Sequence, residues 1–275
     1  LCARIGLLVV LLVHGCTERR AVMNPLDDET LASRVFFPRK SAGRAPAGAR
    51  DLMIPVARAE LGARFYEKDP AFRTVLYFHG NGETVPDYDR IAGLYHRSRL
   101  NLFVVDYRGY GFSTGSRPTL RSLSEDPPIV SEFFLKQIRP AAPLPIIMGR
   151  SLGSSPATDI AVSNPQRYAG LILESGFADV RPLLGLLGVQ LSDAQEEEAH
   201  KLFSNAGKLS GIKIPVLILH GEEDHLIPAK HARANFEAAA VKLKTLKIMQ
   251  GAGHNDLLVQ SDEYFSSIDQ FVQKL

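Results

Sequence analysis

The chain has 275 residues, 45% of them hydrophobic and 23% charged, a balance that lets a globular protein bury a substantial core in one domain or at most two. Its formal net charge is only +2 and its basic residues are scattered, so there is no electrostatic footprint for a nucleic acid, and that class of partner is set aside. Both cysteines, Cys2 and Cys16, lie at the very start; no disulfide can staple the rest, and without C-x2-C or H-E-x-x-H spacing nothing points to a metal.

At the N-terminus, LCARIGLLVVLLVHGC joins Arg4 to an unbroken apolar run from Leu7 to Val13 and ends at the small residue Gly15. That run falls far short of the ~20 residues needed to span a bilayer, so residues 1–16 are predicted to be a signal peptide and not a transmembrane helix. The ending VHGC resembles a bacterial lipobox, in which an apolar and a small residue precede a cysteine that is lipidated after cleavage. This resemblance implies an exported protein, periplasmic or held at a membrane through lipidated Cys16; the alternative is a plain secretory signal. Residues 17–50 are polar and rich in Arg, Ala, Gly and Pro, as in KSAGRAPAGAR. Such composition cannot fill a core and reads as a tether or surface wrap, with a few docking residues in RVFFP.

From residue 51 to residue 275 the punctuation is regular. DLMIPV and GARFYE read as an opening hairpin. After it, short apolar runs (TVLYFHG, NLFVVD, LPIIMG, AGLILES, PVLILHG and LKTLKIMQG) alternate with segments of helical spacing. Those segments are VPDYDRIAGLYHRS, LRSLSEDPPIVSEFFLKQI, SSPATDIAVS, PAKHARANFEAAAVK and NDLLVQSDEYFSSIDQFVQKL; Pro127 and Pro128 are expected to make the second of them start late or kink. Runs that are apolar at consecutive positions suit strands covered on both faces. The predicted fold class is therefore α/β, with an open, mostly parallel sheet of about eight strands and helices on both faces.

In such sheets ligands gather at the carboxyl ends of the strands. The residues just past each run are reactive types: His79-Gly80-Asn81, Asp106, Ser151, Glu174, Asp224 and His254. Two of the loops spell G-x-S-x-G. Ser113, in GFSTG, follows its strand only after a glycine-studded loop, and Pro118 arrives before a helix can begin, so it reads as a small hydroxyl in a tight loop. Ser151, in GRSLGS, has a buried strand before it and a helix directly after it. This is the strand–turn–helix setting that lifts a nucleophilic hydroxyl clear of a sheet.

A serine needs a base, and the base needs an acid to hold its tautomer. Asp224 follows PVLIL and His254 sits in GAGHND after the last strand, so both lie downstream of Ser151 in the order this fold class requires. Glu174, at the end of the preceding strand, is a rival acid, and Glu222 and Glu223 neighbour Asp224 in its turn. His225 and His231 are expected to be exposed, His96 and His200 solvated, and His79 structural. Donors for an oxyanion are expected from the backbone N–H of Leu152, directly after the nucleophile, and of Asn81, in HGNGE.

Taken together, YFHGNGE, VVDYRGYGFSTG, GRSLGS, LHGEEDHLIP and GAGHNDL, in this order, resemble the α/β-hydrolase superfamily. More closely they resemble its short-lid branch of serine hydrolases, which includes protein depalmitoylases and acyl-(thio)esterases. The likeness covers roughly residues 51–275. It implies Ser151 as nucleophile, Asp224 as acid, His254 as base and Asn81 and Leu152 as oxyanion donors, with the GFSTG loop structural. It also implies a lid near residues 177–213, whose leucines either face an acyl chain or pack the lid onto the sheet. The function expected is hydrolysis of a small carboxylic ester or thioester, or of an acylated protein, through an acyl-serine and without cofactor. An exopeptidase-like hydrolase of aminoacyl amides and a non-catalytic ligand-binding protein are the alternatives.

Overall fold

The computed structural model describes residues 28–41, 43–138 and 143–275; the signal segment, Cys16 and the start of the tether lie outside the described residues. The opening hairpin is β1 (Ala49–Val56) and β2 (Ala59–Tyr66), paired antiparallel. It is followed by β3 (Arg73–Phe78), β4 (Leu100–Val105), β5 (Ile146–Arg150), β6 (Gly170–Glu174), β7 (Val216–Gly221) and β8 (Lys244–Met249). These eight strands form one sheet in the order β1-β2-β4-β3-β5-β6-β7-β8. β2 is antiparallel to both its neighbours, and from β4 onward every neighbouring pair is parallel.

The helices are α1 (Glu29–Val35), α2 (Ala92–Arg97), α3 (Leu120–Gln137), α4 (Ser154–Ser163), α5 (Arg181–Leu186), α6 (Asp193–Phe203), α7 (Asn205–Leu209), α8 (Lys230–Ala238) and α9 (Ser261–Val272). Two apolar layers explain the unbroken hydrophobic runs of the central strands. Leu76, Ile147 and Ile218 pack into one layer with Phe134 of α3 and Ile160 of α4. Their chain neighbours Tyr77, Met148 and Leu217 pack into the other with Tyr95 of α2 and Ile268 of α9. Alternate side chains enter opposite layers, so the central strands read as apolar at consecutive positions. Among the described residues, no helix is long and apolar enough to cross a membrane.

Three local outcomes differ from expectation or refine it. α3 does not start late despite Pro127 and Pro128: it begins at Leu120, where Thr119 and Ser122 form a reciprocal capping box. The two prolines remove two amides from the helical ladder, while a buried stripe through Leu123, Pro127, Val130 and Phe134 and the paired Arg108–Asp126 contacts at 2.6 Å hold the helix to the sheet. Second, residues 28–41 of the expected tether are folded onto the domain. Asp28 caps α1 by accepting from the N–H groups of Thr30 and Leu31, and Ala32, Val35 and Phe36 are buried. Third, between β6 and β7 the expected lid holds α5, α6 and α7. α7 packs on α4 and α8, α5 packs on α6, Leu184 is buried, and Leu186 is 70% exposed.

Candidate active site

β5 stops at Arg150, and Ser151 opens a single 3-10 turn, Ser151–Gly153, that runs straight into α4. Ser151 has φ of 50°, in the left-handed region that costs a non-glycine residue about 1–2 kcal/mol. The surroundings enforce it. A Cβ on Gly149 would stand 2.1 Å from Gly153 O, and one on Gly153 would stand 2.0 Å from Phe78 O, so the turn can press against itself and against the end of β3 only with glycine at both places. Leu152 is the second residue of that turn, where a helical N–H has no acceptor within its own helix.

His254 Nε2 lies 3.0 Å from Ser151 Oγ, and His254 Nδ1 lies 2.7 Å from Asp224 Oδ2. With the carboxylate ionised, Nδ1–H donates to Asp224 and Nε2 is left to accept the serine proton. Asp224 Oδ1 accepts from the N–H groups of Leu226, at 3.0 Å, and Ile227, at 2.7 Å. Its Oδ2 also stands 3.3 Å from Nε2 of buried His220. Burial acts to raise the Asp224 pKa, but the bonds from His220, His254 and Ile227 outweigh it and hold this carboxyl well below the usual carboxylate range. His254 and Asp224 meet because a Cβ on Gly221, at the end of β7, would stand 2.3 Å from Ala252 O: glycine there lets the loop after β8 lie directly on the loop after β7.

Asn81 follows β3 as expected, and its side chain is tied to the N-terminal segment. Nδ2 donates to Val35 O at 2.7 Å, while Oδ1 accepts from Phe37 N–H at 3.0 Å and from Tyr110 Oη at 2.6 Å. These bonds fix the Asn81 loop beside the turn after β5, where a Cβ on Gly153 would stand 2.0 Å from Phe78 O and 2.8 Å from His79 O.

The competing residues sit elsewhere. Ser113 is buried; its Oγ accepts from Gly62 N–H at 2.8 Å and donates to Asp106 O at 3.2 Å. Glu174 lies 3.1 Å from Arg150 Nε and accepts from Tyr264 Oη at 2.8 Å, with no contact to His254. Glu222, Glu223 and His225 are exposed. His79 is buried, its Nδ1 2.8 Å from Gly80 O and its Nε2 3.2 Å from Asp106 Oδ1. His231 is a correction: it is buried, and its Nδ1 accepts from Ala178 N–H at 3.2 Å, because α8 turns this side chain under the start of the lid. Burial and nearby Lys230 lower its pKa, which suits that acceptor role. His96 and His200 are also less free than expected. Both are half-buried, His96 against Tyr66 O at 3.2 Å and His200 against Asp179 Oδ2 at 3.0 Å.

Sequence reasoning passed over Arg150, Glu83, Asn255 and His220. The available signal was Arg150 itself, a charged residue ending an otherwise apolar strand, with Glu83 three residues past Gly80 as its counterpart.

The model of the family described as serine aminopeptidase, S33, matches residues 69–207 and 197–259. The chain belongs to that family of α/β hydrolases. Among curated relatives, human alpha/beta hydrolase domain-containing protein 17B is 35% identical over 208 residues, covering 73% of this chain and 66% of that protein. The 17C protein of Xenopus tropicalis is 32% identical over 219 residues, covering 77% of this chain and 66% of that protein. The chain thus spans just under two thirds of the length of the relatives it matches. Among solved structures, an esterase from Pyrococcus furiosus superposes with a TM-score of 0.68 at 16% identity, over 86% of this chain and 98% of the esterase. Mouse alpha/beta hydrolase domain-containing protein 10 superposes with a TM-score of 0.62 at 16% identity, over 82% and 99% of the two chains. At such identities these two likenesses speak for the fold alone.

Proposed function

We propose that this family member is a serine hydrolase that cleaves carboxylic esters or thioesters through an acyl-serine intermediate. The observation that carries the reading is the hydrogen-bonded chain Asp224–His254–Ser151, with its 2.7 and 3.0 Å links. Ser151 Oγ attacks the acyl carbon while its proton passes to His254 Nε2, and the imidazolium so formed is stabilised by Asp224. The negative charge that develops on the carbonyl oxygen is met by the N–H groups of Asn81 and Leu152. Collapse expels the alcohol or thiol with the proton from His254. Water then repeats the sequence and frees the acid and Ser151.

An aminoacyl amide would be the substrate suggested by the family's description, and it needs a free carboxylate to hold the substrate amine. Glu83 and Glu174 are both committed to Arg150, which favours an acyl substrate without that charge. Leu186 on α5 and Leu226 beside Asp224 are exposed and suit an acyl chain or an acylated protein. We further propose, from the sequence, that the chain is exported and lipidated at Cys16; mass spectrometry of the mature N-terminus tests this, and an unmodified residue there refutes it.

The central experiment is labelling with a fluorophosphonate, followed by turnover of a panel of aryl esters, acyl thioesters and aminoacyl amides. The reading expects covalent modification of Ser151 and turnover of esters or thioesters. A folded protein that takes no label is not a serine hydrolase, and turnover confined to aminoacyl amides would replace the substrate class.

A further inference from the structure

The side chain immediately before the nucleophile is fastened to two of the loops that the proposed reaction uses, those that carry His254 and Asn81. Arg150 Nη2 donates to His254 O at 2.8 Å and to Asn255 Oδ1 at 2.8 Å. Nη1 donates to Glu83 Oε1, and Nε donates to Glu174 Oε1 at 3.1 Å. Glu83 reaches onward: its Oε2 accepts from Gly80 N–H at 2.8 Å, one residue before the expected oxyanion donor. The guanidinium lies so close to that loop that a Cβ on Gly80 would stand 2.7 Å from Nη1.

We infer that Arg150 is the positioning residue of this site, setting the His254 loop and the Asn81 loop against Ser151 through one guanidinium; this rests on the serine-hydrolase reading above. His254 sits in a stretch without helix or strand, between β8 and the 3-10 turn Leu257–Gln260. Its imidazole is held to Asp224 and Ser151 by single bonds, so its backbone needs an anchor of its own. Arg150 grips the carbonyl of that same residue, and it is joined by one peptide bond to the nucleophile. Four acceptors in three directions match the planar fork of an arginine, whereas a lysine ammonium has three donors at one point and cannot serve them all. A displacement of about 1 Å between reacting groups costs on the order of 10²-fold in rate, so the anchor is a rate-setting feature even though it touches no substrate.

The anchor is also reachable. Arg150, Glu83, Glu174 and Asn255 line an open cavity of about 300 Å³ on the α2 and α9 side of the sheet, large enough to admit a small guanidinium ion. This makes chemical rescue the test. In the full-length protein, Arg150→Ala is expected to lower kcat for a good ester by about 10²-fold with KM little changed, and to slow fluorophosphonate labelling in parallel. Guanidinium or methylguanidinium, at concentrations that neither stimulate nor unfold the wild type, is expected to restore part of that kcat and to leave Ser151→Ala inactive. A cooperatively folded Arg150→Ala with wild-type kcat overturns the proposal. So does a folded variant whose loss no guanidinium relieves, because that outcome belongs to a merely structural role. If Arg150→Ala does not fold, Arg150→Lys carries the test: reduced kcat at unchanged KM supports the proposal, and unchanged kcat overturns it. Wild-type protein that takes no label fails the hydrolase reading itself, whereas labelled wild type with Arg150 variants labelled at the same rate fails only the positioning role.

Discussion

Ser113 and Ser151 occupy the same place in the same five-residue pattern, and they share none of their hydrogen-bond partners. Ser113 closes a loop: its hydroxyl accepts from Gly62 N–H and donates to Asp106 O, both backbone groups of the sheet's antiparallel side. Ser151 faces a histidine from the far edge of the sheet, 103 residues away in sequence. The glycines differ in kind as well. Gly115 has φ of 83° in an open loop, where an added Cβ meets only Ala59 Cβ at 3.0 Å, while a Cβ added at Gly153 would stand 2.0 Å from Phe78 O. What separates the copies is the traffic around them. One lies in a loop between a strand and a capped helix, and the other opens the single 3-10 turn that joins a central parallel strand directly to a helix.

The comparison breaks most severely from the Ser151 side. If the proposed function holds, Ser151→Ala is expected to lower kcat by about 10⁶-fold, as loss of the nucleophile does in serine hydrolases, and to abolish fluorophosphonate labelling with little change in melting temperature. Retained labelling in this variant would remove Ser151 from the reaction.

Next in size is the acid. Asp224→Asn is expected to lower kcat by about 10⁴-fold, because an amide no longer fixes the His254 tautomer. Glu174→Gln, which touches Arg150 and two tyrosines but not His254, is expected to cost far less. The reverse ranking would transfer the acid's role to β6. Asp224 also has a stability signature. Its folded pKa is depressed, so the stability it contributes is present above the ordinary Asp pKa, near 4, and is lost as the pH falls below it. The urea midpoint is expected to fall between about pH 5 and pH 3 by more in the wild type than in Asp224→Asn, which lacks that component.

How far these positions could be read from the sequence follows from the physics at each. Ser151, Asp224 and His254 are legible because each terminates a long apolar run, and in a parallel sheet all such ends converge on one edge. α4 is legible to the residue, SSPATDIAVS, because the elbow fixes its start and Asn164 its stop. α3 was legible in extent, at LRSLSEDPPIVSEFFLKQI, but the late start weighed for it does not occur, because the cap at Thr119 and the buried stripe hold the helix from Leu120. Docking of the N-terminal segment was legible only in part: the docking residues expected in RVFFP include the buried Val35 and Phe36, whereas helix α1 and its cap at Asp28 were not expected. The burial of Ala32, Val35 and Phe36 and the two bonds from this segment to Asn81 are made only in the tertiary fold. Arg150 and Glu83 escaped notice because no local periodicity announces an ion pair between residues far apart in sequence.

The glycines offer a smaller contrast. Gly153→Ala is expected to destabilise by about 3 kcal/mol, since a methyl group cannot share space with Phe78 O without moving β3 or α4. Gly115→Ala faces only left-handed strain and a side-chain contact and is expected to cost about 1–2 kcal/mol. Equal costs by urea unfolding would mean that the elbow relaxes as easily as the loop, contrary to its packing.

The smallest effect is expected from Ser113→Ala. Removing Oγ leaves the Gly62 N–H buried without its 2.8 Å acceptor and deletes a weaker bond to Asp106 O. Leaving one buried donor unpaired costs about 1–3 kcal/mol, and this one lies at the low end because Ser113 keeps its other ties. Those ties are made by main chain: Ser113 N–H still donates to Tyr110 O at 2.9 Å, and Ser113 O still accepts from Lys40 Nζ at 2.7 Å, so the loop and the N-terminal segment stay attached. The variant is therefore expected to unfold at slightly lower urea with kcat and labelling near the wild-type values. A large loss of kcat in a folded Ser113→Ala would show that the loop copy reaches the chemistry after all, because nothing in its hydrogen bonding leads to His254 or Asn81 except through the backbone that the substitution preserves.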